Sequence, residues 1–170
     1  MIQTLFHRLG LILGILLLQI LVLNHICLWG YAIPLLGCVA LFYTPLDAGR
    51  IQTMLIAFGM GLVLDAFSNS PGVAAGAMTL TAFVQYPLLH SMAPDDVIES
   101  TIPNIRMLGG YKYFFYMAIL MAVHHVAYFL LESFSFFNLP DLLLRFASSY
   151  LFSMLLALSI ELWRTSEKTD

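Results

Sequence analysis

Six apolar runs, separated by breaks that are short except for the loop 94–111, restrict the fold of this chain more than any other feature of its sequence. They cover residues 9–29, 31–43, 51–67, 71–92, 113–133 and 142–163. A transmembrane helix needs about 20 mainly apolar residues, and a backbone in lipid must satisfy its own hydrogen bonds, as helices and closed barrels do. We therefore predict an all-α membrane protein without strands, in which residues 1–170 form a single bundle of six transmembrane helices.

The composition agrees with this class of protein. Hydrophobic residues make up 61% of the chain and charged residues 10%, against about 45–50% and about 25% in soluble domains. The basic residues are scattered, so no positively charged surface for nucleic acid is expected. Cys27 and Cys38 have no C-x-x-C spacing, and we expect both to be small buried hydrophobic residues rather than part of a disulfide or a zinc site.

The second run, residues 31–43, departs from the pattern of the others. It has only about 13 residues, fewer than a standard helical span needs. Pro34 lies near its start. We expect this run to be short, tilted or partly re-entrant.

The positively charged residues predict the orientation of the bundle. Arg8 precedes the first run and no small-residue cleavage site follows, so this run is predicted to be a retained signal anchor. Six spans put both termini on one side, and the positive-inside rule assigns that side, with loop 94–111, to the cytoplasm. Arg145 alone then lies toward the outer face. The cytoplasmic basic residues are Arg8, Arg50, Arg106, Lys112, Arg164 and Lys168.

A single carboxylate interrupts the third apolar run. Residues 58–83 read FGMGLVLDAFSNSPGVAAGAMTLTAF, and Asp65 lies on the first of the two helices that this stretch predicts. A carboxylate at the centre of a transmembrane helix costs about 2.5–3.5 kcal/mol on insertion scales, so it should face the bundle interior and have a partner. Ala57 and Gly61 share its face at i−8 and i−4, where small residues permit close helix contact. Ser70 is the expected N-cap of the next helix, with Pro71 at its first position.

In the predicted orientation several polar residues reach the same outer level. Asp65, Glu132 and Arg145 are expected to form an outward-facing cluster in which Asp65 pairs with Arg145, and Asn24 and His25 lie at a similar depth. His125 precedes Glu132 by two helical turns and shares its face, which favours a structural polar stripe. An alternative stays open for Asp65: it bonds only to the backbone at the turn and holds two helices in register, without any ligand.

No set of residues predicts catalysis, a metal or a cofactor. His124 and His125 are adjacent, so they point about 100° apart on a helix and do not form an i, i+4 metal pair. Ser148 and Ser149 have no nucleophile motif, and serines in spans usually bond the backbone or another helix. The aromatic segment 134–137 is expected at the outer interface as an anchor, with a protein contact as the alternative.

The compact motif of the chain is G-x-x-x-D, a small polar turn and P-G-x-x-A-G, which runs from Gly61 through Gly72 to Gly76. This arrangement, together with the length, the number of apolar runs and the HH pair, resembles the rod shape-determining MreD family of bacterial inner-membrane proteins. The resemblance implies a non-enzymatic component of the cell-elongation machinery for peptidoglycan synthesis that binds MreC and maintains cell shape. It also implies proximity to MreB, a SEDS-type glycosyltransferase and a penicillin-binding transpeptidase. Ala57, Gly61, Gly72 and Gly76 are the expected helix-contact residues.

Two other classes of function are alternatives to this one. MreD-like chains are similar in layout to the six-helix substrate-binding components of vitamin importers, so a small-molecule-binding subunit is the alternative function. An outward polar pocket suits both. An intramembrane hydrolase has no acid–base residues at workable spacing in this sequence.

Overall fold

The computed structural model describes residues 2–26, 32–44, 49–68, 70–93, 103, 105–133 and 139–166. The predictions for Cys27, for most of loop 94–111 and for the aromatic segment 134–137 lie outside these residues. Within them the secondary structure is helical and contains no strand, which confirms the all-α class. Cys38 is buried, as expected.

Six α-helices and two short 3₁₀ helices make up the described chain. The 3₁₀ helices are Leu23–His25 and Gly37–Tyr43. The α-helices are α1 (Ile2–Leu21), α2 (Arg50–Ser68), α3 (Val73–Met92), α4 (Ile105–Leu108), α5 (Gly110–Ser133) and α6 (Leu139–Ser166).

Three of these helices are long and apolar enough to cross a membrane. They are Arg50–Ser68, Gly110–Ser133 and the part Pro140–Leu162 of α6. A shorter apolar helical stretch, Leu9–His25, comprises most of α1 and the 3₁₀ helix that follows it. Large apolar side chains remain exposed along their outer faces, for example Leu55 on α2 and Leu151 on α6. Because soluble proteins rarely expose large apolar surfaces, these helices are compatible with a membrane protein.

Helix α3 packs against two other long helices of the bundle. Its largest contacts are with α2 on one side and α5 on the other, and α5 in turn packs against α6. The core between them contains large side chains that are almost completely buried, among them Met78, Leu89, Tyr116 and Met121. The hairpin of α2 and α3 is thus held as a unit against α5.

The second apolar run does not form an α-helix. Residues 32–36 are non-helical, and Gly37–Tyr43 is a 3₁₀ helix whose seven residues are all buried. Pro34 explains the irregular start, because the residue before a proline avoids the α conformation and the proline has no N–H to donate. We call residues 32–44 the inner segment, since its 3₁₀ helix contacts α1, α2, α3 and α5.

Candidate functional site

The carboxylate of Asp65 caps the start of α3. Its Oδ1 accepts hydrogen bonds from the N–H of Ala74 at 2.8 Å and from the hydroxyl of Ser70 at 3.2 Å. Its Oδ2 accepts from the N–H groups of Ala75 at 2.9 Å and Gly72 at 3.1 Å. The side chain is 5% exposed. A helix N-terminus leaves its first N–H groups without partners and carries partial positive charge, so a carboxylate there is favourable on both counts.

The local conformation differs from the expected cap. Gly72 is the N-cap residue of α3, its φ is +87°, and it makes no side-chain cap. The prediction that Ser70 caps the helix is wrong, because Asp65 of the preceding helix takes that role. Ser70 donates to Asp65 instead. Glycine suits position 72 because this left-handed conformation strains residues with a Cβ.

Small residues bring α2 and α3 into direct contact, as predicted for the face of Asp65. Ala57 is completely buried, and a Cβ on Gly61 would overlap Ala75 Cα and approach its N to 2.7 Å. Gly76 faces α5 instead, where its Cβ would lie 2.9 Å from Leu131 Cδ1. Gly72 is not a helix-contact residue, since a Cβ there would meet nothing within 4 Å.

The predicted ion pair between Asp65 and Arg145 is wrong. Arg145 Nε lies 3.3 Å from Asp141 Oδ2, one turn away on α6, and the Arg145 side chain is 45% exposed. Four hydrogen-bond donors at and before the start of α3 already satisfy the Asp65 carboxylate, so it does not require a positively charged partner. Glu132 is exposed near the end of α5.

Other polar side chains do meet at the level of Asp65. The Asn24 amide donates to Ser68 Oγ at 2.8 Å and joins the end of α1 to the end of α2. This contact borders a small cavity of about 20 Å³ with several polar side chains in its wall, which has room for about one water molecule. Asn24, Leu64, Ser68, Ala74, His124 and Tyr128 are among the residues that line it. His25 is exposed.

His125 does not belong to this cluster, contrary to the prediction. Its Nδ1 lies 2.8 Å from the Met121 carbonyl oxygen and its Nε2 lies 3.1 Å from Ser153 Oγ on α6. Because a carbonyl only accepts, Nδ1 carries the proton, and the Ser153 hydroxyl donates to Nε2. The ring is 0% exposed. Its neighbour His124 faces Thr81, with Nδ1 3.5 Å from Oγ1.

The inner segment has its backbone donors satisfied by side chains from two helices. The N–H of Ile33 donates to Ser149 Oγ at 2.9 Å, and that of Leu35 donates to Ser153 Oγ at 2.8 Å. The N–H of Leu36 donates to Gln19 Oε1 at 2.7 Å. A non-helical backbone at membrane depth is tolerated only where protein satisfies its polar groups. The two serines of α6 and Gln19 of α1 meet that condition.

The acceptors of the inner segment are also engaged. Gln19 Nε2 donates to the Pro34 carbonyl at 2.9 Å and to Asn24 Oδ1 at 2.8 Å. Further along, the Leu41 carbonyl accepts from Thr44 Oγ1 at 2.6 Å and from Gln85 Nε2 at 3.3 Å. This network connects α1 and α3 to the same stretch of backbone.

The register between the inner segment and α6 is regular. Ile33 meets Ser149, Leu35 meets Ser153, and at the far end Tyr43 Oη lies 3.3 Å from Glu161 Oε2. The interval from Ser149 to Glu161 corresponds to about 18 Å of helix at 1.5 Å per residue. The inner segment therefore follows α6 in the same direction over this distance.

Reasoning from the sequence located the hairpin of α2 and α3 but missed the inner segment network. The signal was present in single polar residues within apolar runs: Gln19, Ser149, Ser153 and Gln85 are all buried. Ser149 was expected to bond backbone or another helix, and it bonds the backbone of Ile33. Among the described residues no group of three or more His, Cys, Asp or Glu side chains could hold a metal ion.

Comparisons with known proteins return no match, since no protein-family model, no curated protein and no solved structure is significantly similar to this chain.

Proposed function

We propose that this chain is a non-enzymatic membrane component of the bacterial cell-elongation machinery, of the MreD type, that maintains cell shape by binding MreC. Its place would be the inner membrane, with both termini in the cytoplasm. MreB, a SEDS-type glycosyltransferase and a penicillin-binding transpeptidase are further candidate partners.

The observation that carries this proposal is the structural role of Asp65 in the motif from Gly61 to Gly76. Asp65 is its one ionisable residue, and the carboxylate accepts four hydrogen bonds that fix α3 against α2. A general acid or base needs a free lone pair or proton within reach of a substrate, and Asp65 is 5% exposed. The motif thus supports a scaffold that presents a fixed surface, which is what a partner-binding subunit requires.

The direction and length of the inner segment support a chain that crosses the membrane six times. In this proposal α1, α2, α3, α5 and α6 cross the membrane, and the inner segment crosses between α1 and α2. Its register with α6, from Ser149 to Glu161, gives it the length for much of that passage. Six passes return the chain to the cytoplasmic side, in agreement with the Lys and Arg distribution.

The contact with MreC falls on an outer face of the bundle. Gly61 packs against Ala75 of α3 and Gly76 faces α5, so neither is available to a partner's helix. The outer faces of α1 and α6 carry exposed aliphatic side chains, among them Leu13, Leu17, Leu151 and Leu155. A single transmembrane helix of MreC can pack there through van der Waals contacts.

The alternative is a small-molecule-binding subunit of a vitamin importer. The polar cavity beside Asn24 and Tyr128 measures about 20 Å³, whereas pockets for small molecules measure about 300–1,000 Å³. This cavity supports a packed polar core better than a vitamin site.

Depletion in rod-shaped cells tests the proposal. We expect rounding of depleted cells, restoration of rods by the wild-type chain, and co-purification of MreC in mild detergent. Single cysteines at Leu17 and Leu151 would map the contact by crosslinking. Depleted cells that stay rod-shaped and lose uptake of a vitamin would replace this proposal with the importer alternative.

A further inference from the structure

The hairpin of α2 and α3 carries an apolar groove on its outer side. The groove has a volume of about 440 Å³ and is open along one face. Its lining residues are Met54, Phe58, Gly76, Thr79, Leu80 and Phe83. The hydroxyl of Thr79 already donates to the Ala75 carbonyl at 2.7 Å, so the groove suits a hydrocarbon chain and not a polar molecule.

The positively charged side chain of Arg50 lies at one end of this groove. The guanidinium carbon of Arg50 lies 3.9 Å from the centroid of the Phe83 ring, and Nη2 lies 3.5 Å from the Phe83 carbonyl oxygen. The Nε of Arg50 is buried and has no hydrogen-bond partner within the described residues. Stacking on Phe83 holds the guanidinium in place, and its one hydrogen-bond acceptor among the described residues is the Phe83 carbonyl. Arginine presents these donors in a planar fork that matches the oxygens of a phosphate.

We propose that this groove binds one anionic phospholipid, with an acyl chain along α2 and α3 and the phosphate at Arg50. The dimensions agree with one leaflet of a bilayer. Arg50 and Phe58 are separated by about 12 Å along α2 at 1.5 Å per residue, and half of a hydrocarbon core is about 15 Å. The positive-inside orientation puts Arg50 at the cytoplasmic leaflet, whose anionic lipids attract basic residues at the interface.

The chemistry favours a lipid over a partner's transmembrane helix in this groove. An apolar helix would fill the lining but offer no acceptor to the terminal N–H groups of the Arg50 guanidinium, and leaving a charged donor unpaired is unfavourable. A phospholipid satisfies both parts of the site. Arg145 provides the internal contrast, because it already pairs with Asp141 at 3.3 Å. The inference depends on membrane insertion of the chain and does not depend on binding to MreC.

Native mass spectrometry of the full-length protein in mild detergent tests the proposal, with phosphatidylglycerol and phosphatidylcholine as probes. We expect one phosphatidylglycerol to be retained in preference to phosphatidylcholine. Arg50→Gln should lower its affinity about tenfold or more, because hydrogen bonds to charged groups are the stronger ones. Arg50→Lys should keep much of the binding as a point charge. Arg145→Gln is the matched control and should change nothing.

The acyl part of the site has its own test. Leu80→Trp narrows the groove and should reduce retention of phosphatidylglycerol, whereas Leu62→Trp on the outer face of α2, outside the groove, should not. A photoreactive residue in place of Leu80 should crosslink to lipid in the wild-type background, which answers the question even if an Arg50 variant fails to fold. Equal retention of both lipids, an unchanged affinity in a folded Arg50→Gln, or crosslinks to a protein instead of lipid would overturn the proposal.

Discussion

Gly61 of α2 lies directly against the backbone of Ala75 at the start of α3. A Cβ on Gly61 would overlap Ala75 Cα and lie 2.8 Å from the Ala74 carbonyl oxygen. Four residues later on the same face, Asp65 accepts hydrogen bonds from the N–H groups of Ala74 and Ala75. Close approach and capping thus depend on each other, because the carboxylate reaches those N–H groups only when the two backbones touch.

Gly61→Ala should therefore destabilise the fold. The added methyl meets backbone, which cannot rotate away, and overpacking of this kind costs about 1–3 kcal/mol. Gly59→Ala on the same helix is the matched control, since a Cβ there meets nothing within 4 Å. Alanine favours a helix over glycine by about 0.5–1 kcal/mol, so the control should be neutral or slightly stabilised. Unfolding in detergent by thermal or denaturant titration measures both, and equal stability of the two variants would contradict the close contact.

Replacement of the Asp65 carboxylate should cost more than replacement of a surface carboxylate. Asp65→Ala removes the acceptor of three backbone N–H groups and one hydroxyl, and leaving buried donors unpaired costs about 1–3 kcal/mol each. Asp65→Asn keeps one acceptor oxygen and should fall between the wild type and Asp65→Ala. Asp141→Asn, at the 35% exposed partner of Arg145, is the control. The order of midpoints in the same unfolding assay is the measurement, and an Asp65→Ala as stable as the control would contradict the cap.

A double-mutant cycle distinguishes the observed partner of Arg145 from the predicted one. Asp65→Ala and Arg145→Ala should have additive effects on stability, because the two side chains share no bond in the structure. Asp141→Ala and Arg145→Ala should show a small coupling, below about 1 kcal/mol for a pair that is partly exposed. A coupling energy between Asp65 and Arg145 that clearly exceeds the one between Asp141 and Arg145 would support the predicted ion pair of Asp65 with Arg145 instead.

The sequence allowed the hairpin of α2 and α3 to be predicted because its signals are local. The i, i+4, i+8 spacing of Ala57, Gly61 and Asp65 identified the contact face, and the alternative in which Asp65 bonds the backbone of the turn is the one that the structure has. The exact cap was not predictable, since Ser70 also carries an N-cap side chain. The choice between Ser70 and Asp65 depends on how closely two helices approach, which is a tertiary property.

The inner segment was harder to predict for the same physical reason. Its length and Pro34 excluded an ordinary span, but nothing within residues 31–43 specifies which side chains will satisfy the exposed backbone. One partner, Gln19, precedes the inner segment in the sequence, and the other two, Ser149 and Ser153, follow it by more than a hundred residues. Only the tertiary arrangement brings them to the same backbone.

Ser149 and Ser148 offer a test of that arrangement at adjacent positions. Ser149 Oγ accepts from the N–H of Ile33, whereas Ser148 Oγ donates to the Leu144 carbonyl of its own helix at 2.7 Å. Ser149→Ala leaves a backbone donor without its partner and should destabilise the fold by about 1–3 kcal/mol. Ser148→Ala removes a bond to a carbonyl that the helix already uses and should have little effect. Similar losses for both variants would contradict the role given to Ser149.

Gln19 should be the most sensitive position of the inner segment network. Its amide makes three hydrogen bonds, to Asn24 Oδ1, to the Pro34 carbonyl and from the Leu36 N–H, and its side chain is 3% exposed. Gln19→Leu keeps the approximate volume and removes all three, so a buried donor and a buried acceptor of the backbone lose their partners together, at a cost of about 2–6 kcal/mol. Gln52→Leu on the exposed face of α2 is the control for the added hydrophobicity and should leave stability almost unchanged. If Gln19→Leu unfolds at the same denaturant concentration as Gln52→Leu, the inner segment does not depend on this side chain.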